Sequence, residues 1–389
     1  MKTISLRLIF LLRMKPIQLV DLHTQYSRIK SEIDEAVLDV IESSAYINGP
    51  EVKKFQAELE EYLGVKHVIP CANGTDALQI ALMAIDAEPG DEIIPPSFTY
   101  IATAEVIALL GLTPIFVEVD TDNFTLDIED VRAKITEKTK AIIPVHLYGA
   151  CADMDAIMEI ANEHDLKIIE DTAQAIGTTY RSKSGQTHSA GSIGHIGTTS
   201  FFPSKNLGCF GDGGAMMTND DDLAAKLRMI ANHGQRIKYI HDSIGCNSRL
   251  DSIQAAVLRV KLKHLDTYTQ ERNRAANYYS QYLGELEQIQ PPQTPENSDH
   301  GFHQYTIKLT GVDRDALKEY LNDLGIPANI YYPVPVHLQK GYTKYGFGVG
   351  DLPVTEALSE VVLSLPMHTE LEKEQQDFII NSIKDFITK

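Results

Sequence analysis

One lysine, Lys205, stands in a setting that a surface lysine does not need. The stretch TTSFFPSKNLGCFGDGGA, residues 198–215, places it between a run of hydroxyl and aromatic residues and a glycine-rich turn. A lysine that forms a Schiff base with a carbonyl must have its amine held in place and partly withdrawn from water. The pattern therefore predicts a reactive amine at Lys205. The alternative is an ordinary surface lysine in a glycine loop.

A second set of candidate residues follows the apolar segment HVIP. Asn73, Gly74 and Thr75 lie at a predicted strand-to-helix turn within CANGTDAL. The backbone N–H groups and the dipole at the start of a helix bind phosphate, and the Thr75 hydroxyl adds another donor. The same residues would also suit a helix that merely needs a cap, because Asn is a common N-cap residue.

Two polar residues, Asp171 and Gln174, directly follow the apolar part of KIIEDTAQA. A carboxylate at the end of a buried strand needs a cation or a cap as its partner. Asp171 could cap the next segment, or it could pair with the protonated ring nitrogen of a pyridine cofactor. Ser200 is expected to face the same pocket as Lys205, and the aromatic Phe98 ends another predicted strand.

The order of these pieces is more specific than any one of them. A phosphate turn, an aromatic strand end, an acidic residue and a lysine together provide for four parts of pyridoxal 5'-phosphate (PLP). These parts are the phosphate, the ring face, the ring nitrogen and the aldehyde. We therefore predict PLP as the cofactor, carried by Lys205 as a Schiff base. No metal is expected.

The elements that must position these residues alternate along the chain. Apolar strands alternate with helical patterns from HVIPC to SFFPSK, which indicates an α/β fold with a mostly parallel sheet and helices on both faces. Ligands bind at the carboxyl ends of strands in such sheets. After about Lys263 the pattern changes to a smaller α+β arrangement. We predict a large PLP-binding domain at residues 14–263 and a small C-terminal domain at residues 264–389.

Charge and cysteine content restrict the partners and the compartment. The chain has 35 Lys+Arg and 54 Asp+Glu, a formal net charge of −19, which argues against a nucleic-acid or anionic-membrane partner. The four cysteines have no zinc or redox spacing, and no apolar run is long enough to span a bilayer. A cytoplasmic location is expected. Residues 1–13 fit a signal peptide poorly, and Met14 is a candidate start.

Eight motifs give the chain a resemblance to a known family. They are NGTDAL, PPSFTYIAT, PVHLYG, IEDTAQA, SFFPSKNLGCFGDGGA, NSRLDSIQAA, YYPVPVHLQ and LSLPMH. In this order they resemble the PLP-dependent nucleotide-sugar aminotransferases of the DegT/DnrJ/EryC1/StrS group, from about Pro16 to the C-terminus. The resemblance implies the aspartate aminotransferase fold, called PLP fold type I.

The resemblance also implies roles for the residues that surround the cofactor ring. Lys205 matches the lysine that is bonded to the cofactor. Asp171 matches the partner of the ring nitrogen, and Gln174 matches the residue that hydrogen-bonds the ring hydroxyl. Phe98 matches the aromatic residue that stacks on the ring.

A homodimer with shared active sites is implied in the same way. Gly74, Thr75 and Ser200 match contacts to the cofactor phosphate. Asn247 matches a phosphate contact that reaches in from the other subunit, so a monomer would have incomplete sites.

The substrates implied by the resemblance are L-glutamate and a nucleotide sugar with a 3-oxo carbon. NSRLD looks like the subgroup that aminates a 3-oxo carbon. CANGTDALQI, HGQ and LSLPMH look most like UDP-2-acetamido-2-deoxy-3-oxo-D-glucuronate aminotransferases, in which Arg249 would meet the sugar carboxylate. Tyr331, Tyr332 and His337 are further candidates for the acceptor side. Each has a structural alternative: a packed interdomain strand for the tyrosines, and a loop hydrogen bond for His337.

The alternative acceptor is a dTDP-3-oxo-6-deoxyhexose, because YYPVPVHLQ also occurs in relatives that act on such sugars. Arg249 is compatible with either acceptor. Two further alternatives are less favoured. A sugar dehydratase of the same fold would carry histidine in place of Lys205, and a non-catalytic relative would be expected to lose Lys205 or Asp171.

Overall fold

The computed structural model describes residues 15–388. The candidate start at Met14 therefore lies outside the described residues. The chain begins with three helices, α1 (Leu22–Arg28), α2 (Lys30–Ser43) and α3 (Pro50–Leu63). Gly64 ends α3 in the left-handed conformation, with φ of 67°, and its N–H bonds to the carbonyl of Glu60. Glycine adopts this conformation without steric cost, as its position in the sequence predicts.

Strands and helices then alternate through the large region. Their bounds are β1 (His67–Cys71), α4 (Gly74–Ala84), β2 (Glu92–Ile94), α5 (Ala102–Leu109), β3 (Thr113–Pro114), α6 (Ile128–Lys134), β4 (Thr139–Ile142), α7 (Met154–His164), β5 (Lys167–Asp171), β6 (Thr179–Arg181), β7 (Thr187–Ser189), β8 (Ile196–Ser200), β9 (Gly214–Thr218), α8 (Asp221–Ala231), β10 (Gln235–Ile237), β11 (Ile240–His241) and α9 (Ser252–Leu262).

The remaining elements belong mainly to the C-terminal region. They are α10 (Leu265–Leu283), β12 (Ile289–Gln290), β13 (Tyr305–Leu309), α11 (Arg314–Asp323), α12 (Pro353–Val361), β14 (Val362–Leu365) and α13 (Lys373–Ile387). Short 3₁₀ helices occur at Leu147–Gly149, Val336–Leu338 and Lys340–Tyr345.

Seven strands form the central sheet, in the order β1-β9-β8-β5-β4-β2-β3. Strand β9 runs antiparallel to both of its neighbours, and the other neighbouring pairs are parallel. The other six strands therefore point the same way, and their carboxyl ends share one edge of the sheet. The first residue of β9, Gly214, lies at that edge because it pairs with Cys71 and Ser200.

Helices cover both faces of this sheet. One face packs against α4, α5 and α8, and the other packs against α3, α6, α7 and α9. Adjacent strand residues divide between the two cores, as Ile168 and Ile169 do in β5, because successive side chains of a strand point to opposite faces. This arrangement confirms the predicted α/β class with a mostly parallel sheet.

A second core is built around the antiparallel sheet β12-β13-β14. Helices α10, α11 and α13 pack on this sheet. Helix α10 has residues in both cores: Leu265 packs with the large region, whereas Ala275 and Leu283 pack with the C-terminal one. The division into domains at residues 263 and 264 stays a prediction.

The packed interdomain strand, which is the structural alternative for Tyr331 and Tyr332, is a wrong prediction. Residues 328–332 do not form a strand before the proline-rich loop; only an isolated bridge joins Asn329 to Ser364. Pro333 and Pro335 have no N–H to give to a sheet. The N–H of Val336 donates instead to the carbonyl of Ser97, at 3.0 Å, which directs the segment toward the edge of the large sheet.

Candidate functional site

The candidate site lies at the edge where the carboxyl ends of the parallel strands meet. Gly74 starts the helix after β1, Asp171 is the last residue of β5, and Lys205 lies in the turn after β8. Parallel pairing of β5 with β8 places Asp171 opposite Thr198, two residues before the end of β8. The fold therefore gathers residues that are far apart in the sequence.

The amine of Lys205 is partly withdrawn from water. Its backbone N–H donates to the carbonyl of Phe202 at 2.8 Å, which closes a tight turn. Burial lowers the pKa of Lys205 to about 8, although the nearby Asp171 carboxylate opposes this effect. Among residues 15–388 the Lys205 amine has no hydrogen-bond or ion-pair partner. Such an amine is available for reaction near neutral pH.

Asp171 is buried beside this amine, with 6% of its surface exposed. Its Oδ2 accepts a hydrogen bond from the Thr103 hydroxyl at 2.9 Å, and its Oδ1 accepts one from the Ala173 N–H at 3.1 Å. Burial raises the pKa of Asp171, while these two donors and the Lys205 ammonium oppose the rise. Asp171 therefore caps the segment that follows it and can still pair with a cationic group of a ligand.

Gln174 is held by Tyr148, a residue that sequence reasoning missed. The Tyr148 N–H donates to Gln174 Oε1 at 2.7 Å, and Gln174 Nε2 donates to the Tyr332 hydroxyl at 3.2 Å. The amide therefore presents its N–H side to the pocket. Tyr148 adopts a φ of 58°, which is uncommon outside glycine and often marks functional sites. The motif PVHLYG, which ends at the same edge of the sheet, was the available signal.

The predicted phosphate turn is present at the start of α4. Asn73 Oδ1 accepts a hydrogen bond from the Asp76 N–H at 2.8 Å and so caps the helix. The N–H groups of Gly74 and Thr75 belong to the first turn and have no acceptor within the helix. A Cβ added to Gly74 would lie 2.7 Å from the Cβ of Ser200. Glycine is therefore needed for this close approach, which brings Gly74, Thr75 and Ser200 together.

These residues fit PLP. A phosphate is suited to the N–H groups at the start of α4, next to the Ser200 hydroxyl. The buried Asp171 suits a protonated ring nitrogen, and the Lys205 amine suits the aldehyde. All three features lie at one edge of the sheet, so the fit rests on the donor groups of the chain itself.

The stacking role predicted for Phe98 does not agree with its packing. Phe98 is 0% exposed, and its ring stacks on Phe124 with centroids 5.7 Å apart. An aromatic residue that stacks on a bound ring needs a free face. Tyr100, two residues later, is 58% exposed and lies 6.3 Å from Tyr332. We therefore assign Phe98 to the core and propose Tyr100 as the stacking residue.

The segment from Asn247 to Arg249 lies beside the phosphate turn of its own chain. Ser248 is buried, and its Oγ accepts a hydrogen bond from the Ala72 N–H at 3.0 Å. Asn247 is exposed and Arg249 is half-buried. Arg249 has no hydrogen-bond or ion-pair partner within the described part of the chain. Both side chains are therefore free to meet a ligand or a second subunit.

The three remaining candidates occupy the segment at residues 331–337. Tyr331 and Tyr332 are half-buried. The carbonyl of Tyr331 accepts a hydrogen bond from the Tyr148 hydroxyl, and the Tyr332 hydroxyl is bound to Gln174. His337 is 0% exposed, and both of its ring nitrogens have protein partners. His337 thus has no free nitrogen for a substrate, and its geometry supports the loop hydrogen bond.

Comparison with known proteins identifies relatives of the whole chain. The model of the DegT/DnrJ/EryC1/StrS aminotransferase family matches residues 27–384. A UDP-N-acetyl-3-dehydro-alpha-D-glucosamine 3-aminotransferase from Acidithiobacillus ferrooxidans is 46% identical, over 92% of this chain and 95% of that protein. A UDP-2-acetamido-2-deoxy-3-oxo-D-glucuronate aminotransferase from Pseudomonas aeruginosa is 43% identical, over 92% and 96%.

A dTDP-3-amino-3,4,6-trideoxy-alpha-D-glucose transaminase from Streptomyces venezuelae is equally similar, with 43% identity over 94% of this chain and 95% of that protein. Two solved structures share the fold. S. venezuelae DesV in complex with a ketimine intermediate superposes with a TM-score of 0.92 at 41% identity, covering 97% of this chain and 100% of DesV. Bacillus subtilis NtdA with bound PMP superposes with a TM-score of 0.85 at 32% identity, covering 92% and 82%.

Proposed function

Because this chain belongs to the DegT/DnrJ/EryC1/StrS aminotransferase family and is a PLP-dependent sugar-nucleotide transaminase, we propose that it transfers an amino group from L-glutamate to the 3-oxo carbon of a UDP-linked 2-acetamido sugar. The favoured acceptor is UDP-2-acetamido-2-deoxy-3-oxo-D-glucuronate. The observation that carries the chemistry is the half-buried Lys205 amine beside Asp171, at the edge that also holds the phosphate turn.

When bound, PLP supplies an electron sink for the charge that develops at the α-carbon of the amino acid. The chain's own residues supply the rest. Asp171 would hold a proton on the ring nitrogen, and Gln174 Nε2 would donate to the ring hydroxyl. The Lys205 amine, whose pKa is lowered to about 8 by burial, removes the proton from the α-carbon of glutamate as a general base. In the second half of the reaction the same amine delivers a proton to the carbon of the sugar that carried the 3-oxo group.

Arg249 supports the choice of acceptor. Its guanidinium is half-buried and unpaired among the described residues, next to the turn that suits the cofactor phosphate. A uronate carboxylate would give it a bidentate partner. The relative from A. ferrooxidans is named for a sugar without this carboxylate, and the dTDP-linked deoxyhexose also lacks it. The dTDP-linked sugar remains the alternative acceptor.

A homodimer with shared sites is part of the proposal. Asn247, expected to contact the phosphate of a neighbouring subunit, is exposed in its own chain. Apolar side chains with 43–86% exposure occur within residues 38–47 and within residues 237–244. They are Leu38, Ile41, Tyr46, Ile47, Ile237, Tyr239, Ile240 and Ile244. Apolar surface on this scale marks a protein interface, and a second copy of the same chain is the simplest partner.

No helix within residues 15–388 is long and apolar enough to cross a membrane. All four cysteines are free thiols. We propose a cytoplasmic location, where free thiols are the rule.

Borohydride reduction of the PLP-loaded protein, followed by peptide mapping, tests the site. The label should be found on Lys205. The chain contains a second lysine that serves as a control. Lys261 is buried, and burial lowers its pKa to about 8. Lys261 lies over the ring of Phe210, at 4.9 Å from the ring centroid. A label on Lys261, or no label at all, contradicts the proposal.

Turnover with three acceptors tests the substrate. The glutamate half-reaction is followed by the loss of the PLP absorbance, and the acceptor half-reaction by its return. UDP-linked 3-oxo-glucuronate, UDP-linked 3-oxo-N-acetylglucosamine and a dTDP-linked 3-oxo-6-deoxyhexose should be compared at matched concentrations. The uronate is expected to react with the highest kcat/KM. A faster reaction with the dTDP-linked sugar would favour the alternative.

A further inference from the structure

A chain of three polar residues, Ser97, His337 and Glu356, joins the edge of the central sheet to the segment at residues 331–337 and the loop before α12. Ser97 and His337 are both 0% exposed. Ser97 Oγ lies 2.7 Å from His337 Nδ1, and His337 Nε2 lies 3.3 Å from Oε1 of Glu356. Leaving a buried polar group without a hydrogen bond is costly, so such groups are usually paired. A fully paired buried network holds the segments that it joins in one position.

The Glu356 carboxylate fixes the direction of the hydrogen atoms in this chain, because an ionised carboxylate only accepts hydrogen bonds and His337 Nε2 must therefore carry the hydrogen between them. The His337 N–H donates to Ser97 Oγ at 3.2 Å, so the Ser97 hydroxyl already accepts one bond. Its own hydrogen is then free to donate to Nδ1. His337 Nδ1 is therefore an acceptor, and Nε2 carries the hydrogen that points to Glu356. This is the neutral form of histidine.

Burial favours the same neutral form. It lowers the pKa of His337, although the Glu356 carboxylate opposes the effect. Glu356 is itself held by backbone donors: Gly350 N–H lies 2.8 Å from Oε1, and Leu352 N–H lies 3.3 Å from it. The far end of the polar chain is therefore anchored in the loop before α12.

The near end is anchored beside the active site. Ser97 accepts hydrogen bonds from two consecutive backbone N–H groups: Val336 donates to its carbonyl, and His337 donates to its Oγ. Five residues earlier, Tyr332 lies within 6.2 Å of Phe98 and 6.3 Å of Tyr100, ring centroid to ring centroid, and contacts Gln174. Ser97 is thus one of the points at which the segment that carries Tyr332 is attached to the large region, beside the bonds that Tyr148 and Gln174 make to Tyr331 and Tyr332.

We propose that Ser97 and His337 are positioning residues for the acceptor half of the reaction: they set the Tyr331–Tyr332 part of the segment against the pocket that receives the sugar nucleotide. The inference rests on the proposed function for its substrate, but the tether itself is a property of the chain. Neither residue touches the substrate. Glutamate is small and should depend little on this wall of the pocket, whereas the larger acceptor should depend on it strongly.

Two substitutions of His337 separate its two hydrogen bonds. Asn places an amide oxygen where Nδ1 stands and so keeps the bond from Ser97, but it cannot reach Glu356. Gln places an amide nitrogen near the position of Nε2. It therefore keeps the bond to Glu356 and loses the side-chain bond to Ser97. His337→Asn, His337→Gln and Ser97→Ala form a matched set, and all three should be compared in the PLP-loaded full chain.

The expected result is a split between the two half-reactions. Ser97→Ala and His337→Gln should raise the KM for the sugar nucleotide by about tenfold and change the rate of the glutamate half-reaction by less than about twofold. His337→Asn should stay within about threefold of the wild type in both half-reactions, because it keeps the bond to Ser97. Equal losses in both half-reactions, or equal behaviour of the Asn and Gln variants, would overturn the assignment.

A measurement without substrate keeps the test independent of the proposed acceptor. Hydrogen exchange of the His337 amide, which donates to the Ser97 hydroxyl, should be faster in Ser97→Ala by about tenfold or more. Unchanged exchange would overturn the tether. If the wild type aminates none of the three sugar nucleotides, the proposed acceptor fails, and the exchange result alone then decides whether Ser97 holds the segment.

Discussion

Thr103 donates its hydroxyl hydrogen to Oδ2 of Asp171 over 2.9 Å. Asp171 comes from the end of β5 and Thr103 from the first turn of α5, so the bond joins two elements around one carboxylate. Both residues are buried. The hydroxyl favours the charged form of Asp171 against the effect of burial.

This bond predicts a graded loss of activity. Asp171→Asn should slow the glutamate half-reaction by about 100-fold or more, because an amide cannot hold the ring nitrogen in its protonated form. Thr103→Val keeps the shape and removes only one hydrogen bond to a charged group, so a loss of about tenfold is expected. Single-turnover loss of PLP absorbance measures both. A valine variant as slow as the asparagine variant would contradict this ranking.

The pKa of Lys205 predicts how cofactor binding depends on pH. The unprotonated amine is the form that reacts with an aldehyde, and burial lowers its pKa from 10.5 to about 8. The rate of PLP association with the cofactor-free protein should therefore rise as the pH increases and level off above about 8. A lysine with the ordinary pKa would still gain rate above pH 10. Stopped-flow absorbance between pH 6 and pH 10 distinguishes the two profiles.

Mixed dimers test whether Asn247 serves the neighbouring subunit. A dimer of one Lys205→Ala chain and one Asn247→Ala chain has one site with neither substitution, provided that Asn247 acts across the interface. Random pairing of equal amounts should then restore about a quarter of the wild-type activity. Separately purified variants provide the baseline. If Asn247 acts within its own chain, no intact site forms and co-expression restores nothing.

The two aromatic residues near the site should respond differently to truncation. Phe98 is fully buried against Phe124, so Phe98→Ala should lower the free energy of unfolding by about 3–5 kcal/mol. Tyr100 is largely exposed, so Tyr100→Ala should leave that free energy within about 1 kcal/mol and weaken PLP binding by about tenfold. Urea unfolding and PLP titration give the two quantities. Weaker PLP binding in a stable Phe98→Ala variant would return the stacking role to Phe98.

Arg249 predicts a difference between acceptors. Arg249→Ala should reduce kcat/KM for the UDP-linked uronate by about 100-fold, because a charge-assisted bidentate pair is lost. The loss should be much smaller for UDP-linked 3-oxo-N-acetylglucosamine, which has no carboxylate, and for the glutamate half-reaction. Arg249→Lys is the matched control, since it keeps the charge but not the planar pair of donors. Equal losses with all substrates would identify Arg249 as a structural residue.

The sequence was sufficient for those parts of the fold that follow from periodicity. The spacing of apolar residues predicts a helix at Met154–His164, which are the bounds of α7, and another that begins near Asp251, one residue before α9 starts. Strand β9 was not predicted, because its five residues, GAMMT, directly follow a glycine-rich loop and carry no alternation. All five are buried, so no polar residue marks a face. Its antiparallel direction depends on pairing with β1 and β8, which no local pattern encodes.

The candidate site shows a similar limit. Lys205 and Asp171 could be proposed because their side chains stand at the ends of apolar segments. Tyr148 could not be assigned a role, because the group that holds Gln174 is its backbone N–H, which almost every residue possesses. In the run FTY, Phe98 and Tyr100 are two aromatic residues two positions apart, and only packing reveals which of them is enclosed.

Helix α10 is embedded at its start in one core and at its end in the other. Rotation of one region relative to the other would bend α10 or remove one of its ends from a packed hydrophobic core, and both changes are costly. Closure of the two regions on each other by a large rotation is therefore a poor description of how this transaminase takes up its substrates. Entry and release of a sugar nucleotide should depend instead on small movements of surface segments around a stiff frame.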